Sequence, residues 1–223
     1  MIRIILGTKA QLIKMAPVIR ELDDREMEYS LVMTGQHHET MQDLLDLFQL
    51  RPPDIALVDN MEADTKQKAL FWLFKVLRKT GFGMNKGLWQ PKPVITLVHG
   101  DTLSTLVGAV LSKLAGVRVA HVEAGLRSFN VFHPFPEEII RILVSRISDV
   151  FYCPGSFAAG NISDKPRSEV IDTKSNTLLD SLRLALDIAP KLAAGVVWVN
   201  ATNLFDAAAG FGGVRESGFL FRT

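Results

Sequence analysis

The chain has 223 residues, 48% hydrophobic and 22% charged; this is ordinary globular usage, with length for one large domain or one and a half small ones. Its 25 Lys and Arg against 24 Asp and Glu leave a net charge of +1, so charge gives no reason to expect nucleic acid or an anionic membrane as partner. One cysteine, Cys153, excludes an internal disulfide and fits a reducing compartment. The most apolar stretch, Ala69 to Leu77, is broken by Lys75 and falls far short of the ~20 residues of a membrane span. Met1 to Leu6 is too short for the apolar core of a signal peptide, and the expectation is a soluble cytoplasmic protein.

Ile2 to Leu6 reads as a strand turned by Gly7-Thr8, and Ile13, Val18, Ile19 and Leu22 have helical spacing. Tyr29 to Met33 reads as the second strand and Met41 to Phe48 as a helix ended by Pro52-Pro53. A weak strand at Ile55 to Val58 precedes an amphipathic helix from Thr65 to Arg78, whose Phe71, Trp72 and Phe74 are expected in the core. Gly81 to Pro93 reads as a loop punctuated by Gly and Pro. Strand Val94 to Val98, helix Thr105 to Leu114, strand Val117 to Ala120, a loop from Ala124 to Phe135, a helix from Glu137 to about Ile147 and a short strand Val150 to Tyr152 follow. Strand alternating with helix predicts an α/β fold with a doubly wound parallel sheet. Pro154 to Arg167, rich in Gly, Ser, Asp and Pro, marks its boundary.

Two of the apolar runs end in His-x-carboxylate: His99-Gly100-Asp101 and His121-Val122-Glu123. The carboxyl ends of strands form the ligand crevice of open α/β sheets, so Asp101 and Glu123 are aimed at one place. Pro134-Phe135-Pro136-Glu137-Glu138 brings a third acid to the start of a helix. Carboxylates gathered at one edge suit proton transfer beside a leaving group; the alternative is that Asp101 and Glu123 cap the helices that follow. Residues i and i+2 of a strand share a face. His99 and His121 therefore either orient their neighbouring acids or lie as buried, satisfied imidazoles. Gly7-Thr8-Lys9 sits where backbone N–H groups can hold an anion. The His and acid spacing matches no zinc-binding string.

The strings HGDT, HVEAGLR and PFPEE, in this order and spacing, resemble the non-hydrolysing UDP-N-acetylglucosamine 2-epimerases. Gly7-Thr8 through Ile13-Lys14-Met15-Ala16-Pro17 resembles that family's first βα turn, and Thr34-Gly35-Gln36-His37 to Met41 its second. Asp172-Thr173, Asn176-Thr177 and Leu179-Asp180 resemble its passage into a second domain. The resemblance, from residue 1 to about 187, implies a Rossmann-like sheet domain equivalent to the N-terminal half of a two-domain GT-B type enzyme. It implies reversal of configuration at the sugar's C2: a base removes the C2 proton while UDP leaves C1, and UDP adds back to a glycal-type intermediate. It implies Asp101, Glu123 and Glu137 as catalytic acids, a UDP-sugar substrate, a place in polysaccharide biosynthesis, and no cofactor or metal. Lys9, Lys14, His99, Arg127 and Arg141 are the expected substrate-binding residues. Lys9 and Gln11 stand where the family has Arg and Glu, with Ala10 in place of Pro, and Lys9 keeps the charge without the bidentate fork. The family's Asn-Arg pair after PFPEE is here Ile140-Arg141.

Gly195 to Asn200, Asn203 to Asp206 and Gly210 to Phe219 resemble a segment near the C-terminus of aldehyde dehydrogenases, without its nucleotide-binding fold or catalytic Cys motif. The expected organisation is a sheet domain at 1–165, the opening of a second domain at 166–187, and the dehydrogenase-like tail at 188–223. A cleft with one wall does not exclude water or fix the nucleotide, and both contribute heavily to catalysis. An epimerase therefore stands against a rival, a non-catalytic domain that binds a sugar nucleotide weakly or acts in association. Trp198, Phe205, Phe211, Phe219 and Phe221 on a nearly uncharged chain predict a homo-oligomer, with the tail or the helix around Phe71 and Trp72 at its interface.

Overall fold

The structure, a computed structural model, describes residues 1–35, 41–58, 66–81, 86–162 and 168–188. The expected Gln36-His37 of the second turn, residues 163–167 and the tail from 189 lie outside the described residues. The elements are β1 (Ile2–Leu6), α1 (Lys9–Asp24), β2 (Tyr29–Met33), α2 (Met41–Leu47), β3 (Ile55–Ala56), α3 (Lys66–Gly81), β4 (Ile95–His99) and α4 (Leu103–Leu114). Then come β5 (Arg118–Val122), α5 (Glu137–Ile147), β6 (Val150–Cys153), α6 (Ser156–Gly160), β7 (Glu169–Asp172) and α7 (Thr177–Ile188). The seven strands form one sheet in the order β3-β2-β1-β4-β5-β6-β7, parallel throughout, which is the doubly wound α/β fold that the alternation of elements predicts.

Strand alternation divides the core. Ile4, Leu6, Leu97 and Val122 pack with Leu12, Met15 and Ile19 of α1 and Leu45 of α2 on one face. Ile5 and Val32 meet Trp72 and Val76 of α3 and Val107 of α4 on the other, where Val98 and Val119 meet Ile140 and Val144 of α5. The aromatic helix is only partly core: Trp72 is buried, while Phe71 and Phe74 are 54% and 61% exposed. β4 and β5 run one or two residues further than their apolar stretches, because the ladder pairs His99 with Val122 whatever the polarity of the side chain. In the expected loop 81–93, Lys86–Trp89 forms a 3₁₀ turn that buries Leu88.

Residues expected to open a second domain instead complete this sheet. β7 pairs in parallel with β6 along Val150↔Glu169 to Cys153↔Asp172, and α7 packs on α1. Pro17, inside α1, explains how α7 is seated. A helix-interior proline has no N–H for the carbonyl four residues back, which is that of Ile13. The buried Ser181 hydroxyl of α7 lies 2.6 Å from Ile13 O and 2.7 Å from Thr177 O and shares its one proton between them. Replacing Ser181 by Ala leaves the Ile13 carbonyl unmet, at about 1–3 kcal/mol. Replacing Pro17 by Ala as well returns a helical N–H to that carbonyl. In urea titrations Ser181→Ala is therefore expected to cost clearly less in the Pro17→Ala background than alone; equal costs would contradict this seating.

Candidate active site

Both strand-end acids lie at the carboxyl edge of the sheet, on the neighbouring strands β4 and β5. Their side chains do not follow the alternation that the sequence suggests. His99 shares the α1 face with Leu97, and simple alternation would put Asp101 there too. Gly100, at φ +69°, reverses the turn, and Asp101 pairs with Arg141 of α5 on the opposite face, its Oδ2 2.8 Å from Nε and 2.6 Å from Nη2. Glu123 is itself left-handed, at φ +61°. Its carboxylate turns to the α1 face and accepts from Lys14 Nζ on both oxygens, at 2.8 and 2.7 Å. The histidines are consequently crossed. His99 Nε2 lies 3.4 Å from Glu123 Oε2, and His121 Nε2 lies 2.8 Å from the carbonyl of Gly100, the residue before Asp101.

The PFPEE motif separates its two acids. Glu137 begins α5 with Oε2 buried and unpaired among the described residues. Glu138, which the sequence reading does not single out, is fully buried and accepts from Arg127 Nε at 2.5 Å, Ser128 N–H at 3.0 Å and Arg141 Nη1 at 3.5 Å. Burial alone would raise its carboxyl, but the Ser128 N–H and the Arg127 guanidinium outweigh it and hold Glu138 below the usual range. Arg127, Glu138, Arg141 and Asp101 thus form one chain of ion pairs, and Lys14, Glu123 and His99 a second cluster.

Other expected positions separate from the cluster. Lys9 is the first residue of α1 and joins neither chain of ion pairs. Two of the amides expected to face an anion are taken: those of Gly7 and Thr8 donate to Gln11 Oε1 at 2.8 and 3.1 Å, closing a capping box with Thr8. That box was legible as Thr8-x-x-Gln11. Asn176 Nδ2 lies 3.3 Å from Glu123 Oε1 and Thr177 Oγ1 3.3 Å from His99 Nε2, so the head of α7 borders the site. A cavity of about 610 Å³ opens between α1, the sheet and the head of α7, lined by Val18, Leu97, Val122, Tyr152 and Thr177 and reaching Glu123.

These features define an α/β domain with carboxylates and cations balanced in the crevice at the sheet's carboxyl edge. The profile of the family described as UDP-N-acetylglucosamine 2-epimerase matches residues 20–202, and the chain belongs to that family. It is 32% identical over 184 residues to a UDP-N-acetylglucosamine 2-epimerase of Campylobacter jejuni, covering 81% of this chain and 46% of the relative. With one from Methanococcus maripaludis it is 36% identical over 195 residues, covering 85% and 49%. The crystal structure of the UDP-GlcNAc 2-epimerase from Neisseria meningitidis bound to UDP-GlcNAc superposes with a TM-score of 0.70 at 30% identity, covering 83% of this chain and 49% of that one. The enzyme from Methanocaldococcus jannaschii gives 0.72 at 30%, covering 86% and 50%. The chain spans about half the length of the curated relatives it matches. The family match continues past residue 187, the expected end of the resemblance, to residue 202. No helix among the described residues is long and apolar enough to cross a membrane.

Burial sets the charge of both histidines. Each is 2% exposed. Burial, with Lys14 and His121 nearby, lowers His99 from 6.5 to about 3, and burial against the opposing Gly100 carbonyl lowers His121 to about 4. The unfolded chain takes up these protons below about pH 6.5 while the folded chain does not. Stability therefore falls as pH drops from 6.5 toward 4, by about 2 kcal/mol per histidine at pH 5. Asp and Glu groups lowered by folding lose their contribution only near and below their ordinary pKa of about 4. Chemical denaturation at pH 7.5, 6.5 and 5.0 is expected to show this fall, reduced by about half in His121→Gln; a flat profile would contradict neutral buried imidazoles.

Proposed function

We propose that the chain carries the carboxylate half of a UDP-N-acetylglucosamine 2-epimerase site and interconverts UDP-N-acetylglucosamine and UDP-N-acetylmannosamine. The observation that carries this reading is the placement of Asp101 and Glu123 at the adjacent ends of β4 and β5, among Lys14, Arg127 and Arg141. One carboxylate removes the proton from C2, the C–H electrons form the C1=C2 bond, and the C1–O bond breaks with its electrons leaving on UDP. The diphosphate competes with the carboxylates for the three cations, so leaving-group charge is met by groups already in place. On return, UDP oxygen attacks C1 and a carboxylic acid delivers a proton to the other face of C2. Glu137 is proposed as the third acid; its Oε2 is buried without a partner among the described residues. His99, against Glu123, is proposed with this set while Lys9 stands apart from it at the start of α1, and a homo-oligomer is the proposed active form.

Its half-length match to relatives favours one second reading, a domain that binds a UDP-sugar without turning it over or acts only with a partner. A coupled assay for UDP-N-acetylmannosamine, run on samples whose mass is followed by light scattering, decides between the two. Turnover by an oligomer is expected, with losses of at least about 100-fold in Asp101→Asn and Glu123→Gln and folding retained. No turnover at high protein concentration would leave the second reading.

A further inference from the structure

The turn that carries Asp101 is held at three backbone polar groups, the His99 carbonyl and the N–H and carbonyl of Gly100. The His99 carbonyl accepts from Gln11 Nε2 at 2.7 Å and from Thr105 Oγ1 at 2.6 Å. The Gly100 N–H donates to Val122 O at 3.0 Å, and the Gly100 carbonyl accepts from His121 Nε2 at 2.8 Å. Gln11 and His121 are each 2% exposed and approach from opposite sides. Gln11 stands on α1, which follows β1, one neighbour of β4; His121 stands on β5, the other neighbour. We propose that Gln11 and His121 are positioning residues that fix the His99-Gly100 peptides from both sides and so set where Asp101 projects into the site. The proposal rests on the reading of Asp101 as part of the epimerase machinery.

Both residues suit this task as neutral donors. Gln11 uses its whole amide: Oε1 takes the Gly7 and Thr8 N–H groups, while Nε2 serves the His99 carbonyl and Thr105 Oγ1, the latter at 2.9 Å. A carboxylate in its place would set an acceptor against the His99 carbonyl. A carbonyl opposite Nε2 fixes the neutral His121 tautomer with its proton on Nε2, and Nδ1 is buried with no partner among the described residues. Burial keeps the ring uncharged near neutral pH, and the neutral Nε2–H tautomer already supplies the donor that the Gly100 carbonyl needs. Gly100, at φ +69°, is the point where this grip matters, because its conformation decides which face Asp101 takes.

The test compares near-isosteres in the full chain. Gln can place an amide nitrogen near the Nε2 position of His, whereas Asn reaches only the Nδ1 position. His121→Asn is expected to lower kcat per folded molecule about 100-fold, as misplacement of a reacting group by about 1 Å does, with KM within a few-fold. His121→Gln should retain most of the activity, and Gln11→Leu should match His121→Asn. A reading independent of turnover comes from nitrogen-15 NMR at pH 6 to 8. It should find His121 in the Nε2–H tautomer, with the Gly100 and Asp101 amides and Arg141 Nε–H shifted in His121→Asn and unshifted in His121→Gln. Full kcat in His121→Asn, equal damage in the Asn and Gln variants, or a proton on Nδ1 would each overturn the proposal. A chain that turns nothing over yet passes the NMR test would sink the epimerase reading and leave the clamp on Gly100 intact.

Discussion

Left-handed backbone at two strand ends, Gly100 and Glu123, determines the whole distribution of charge in the site. Regular extension of β4 and β5 would send each acid to the same face as the histidine two residues before it. The reversal sends Asp101 to Arg141 on α5 and Glu123 to Lys14 on α1, so acids from adjacent strands are served by cations from opposite layers of the domain. Gly100 adopts its conformation at little steric cost. Glu123 does not: an L-residue with a Cβ pays about 1–2 kcal/mol there. The surroundings over-determine that conformation, since Lys14 meets both carboxylate oxygens and Asn176 meets one of them. Strained backbone of this kind clusters at functional sites.

That constraint propagates into the packing. Glu123 is 9% exposed, and a buried carboxylate is tolerated only when paired and hydrogen-bonded. The pairing requires α1 to lie across the ends of β4 and β5, which the Gln11 amide and the Thr8 cap enforce. It requires α7 to bring Asn176 to the same carboxylate, which Ser181 enforces through the carbonyl that Pro17 leaves free. The Met15-Ala16-Pro17 string is thus a docking device, and the helix after β7 is part of the site's frame. On the other face, Glu138 has no freedom of its own: Arg127, Ser128 and Arg141 hold it, leaving Arg141 to bridge to Asp101.

Much of this was legible in the sequence, for definite reasons. Apolar runs bounded by polar punctuation located β1, β2, β4, β5 and β6, and alternation with helices gave the parallel sheet. The rule that strand ends form the crevice assigns Asp101 and Glu123 to one edge from the sequence alone. What stayed hidden depends on contacts distant in sequence or on backbone angles. β7 and α7 read as the start of another domain because Pro154 to Arg167 has the composition of a boundary and Asp172 to Asp180 resembles the family's passage into its second domain; the four residues Glu169–Asp172 give no periodicity to oppose this, and the pairing with β6 is a tertiary fact. The left-handed state of Gly100 is a standard suspicion for glycine, but nothing in the string His-Val-Glu-Ala announces it for Glu123. Glu138 is not distinguishable from Glu137 in the sequence because burial, not residue type, separates two adjacent glutamates at a helix start. The split of Phe71 and Phe74 from Trp72 follows from one helix having only one buried stripe.

The central claim is that the carboxylates at the ends of β4 and β5 move a proton at C2 of a UDP-sugar, and the most direct measurement is isotope exchange. The protein is incubated with UDP-N-acetylglucosamine in deuterium oxide, and the recovered sugar nucleotide is examined by proton NMR and mass spectrometry. The account predicts loss of the C2 proton signal and a gain of one deuterium, confined to C2, and no exchange in a protein carrying both Asp101→Asn and Glu123→Gln. A sugar nucleotide that binds but keeps its C2 proton, or exchange that persists in the double variant, would contradict it.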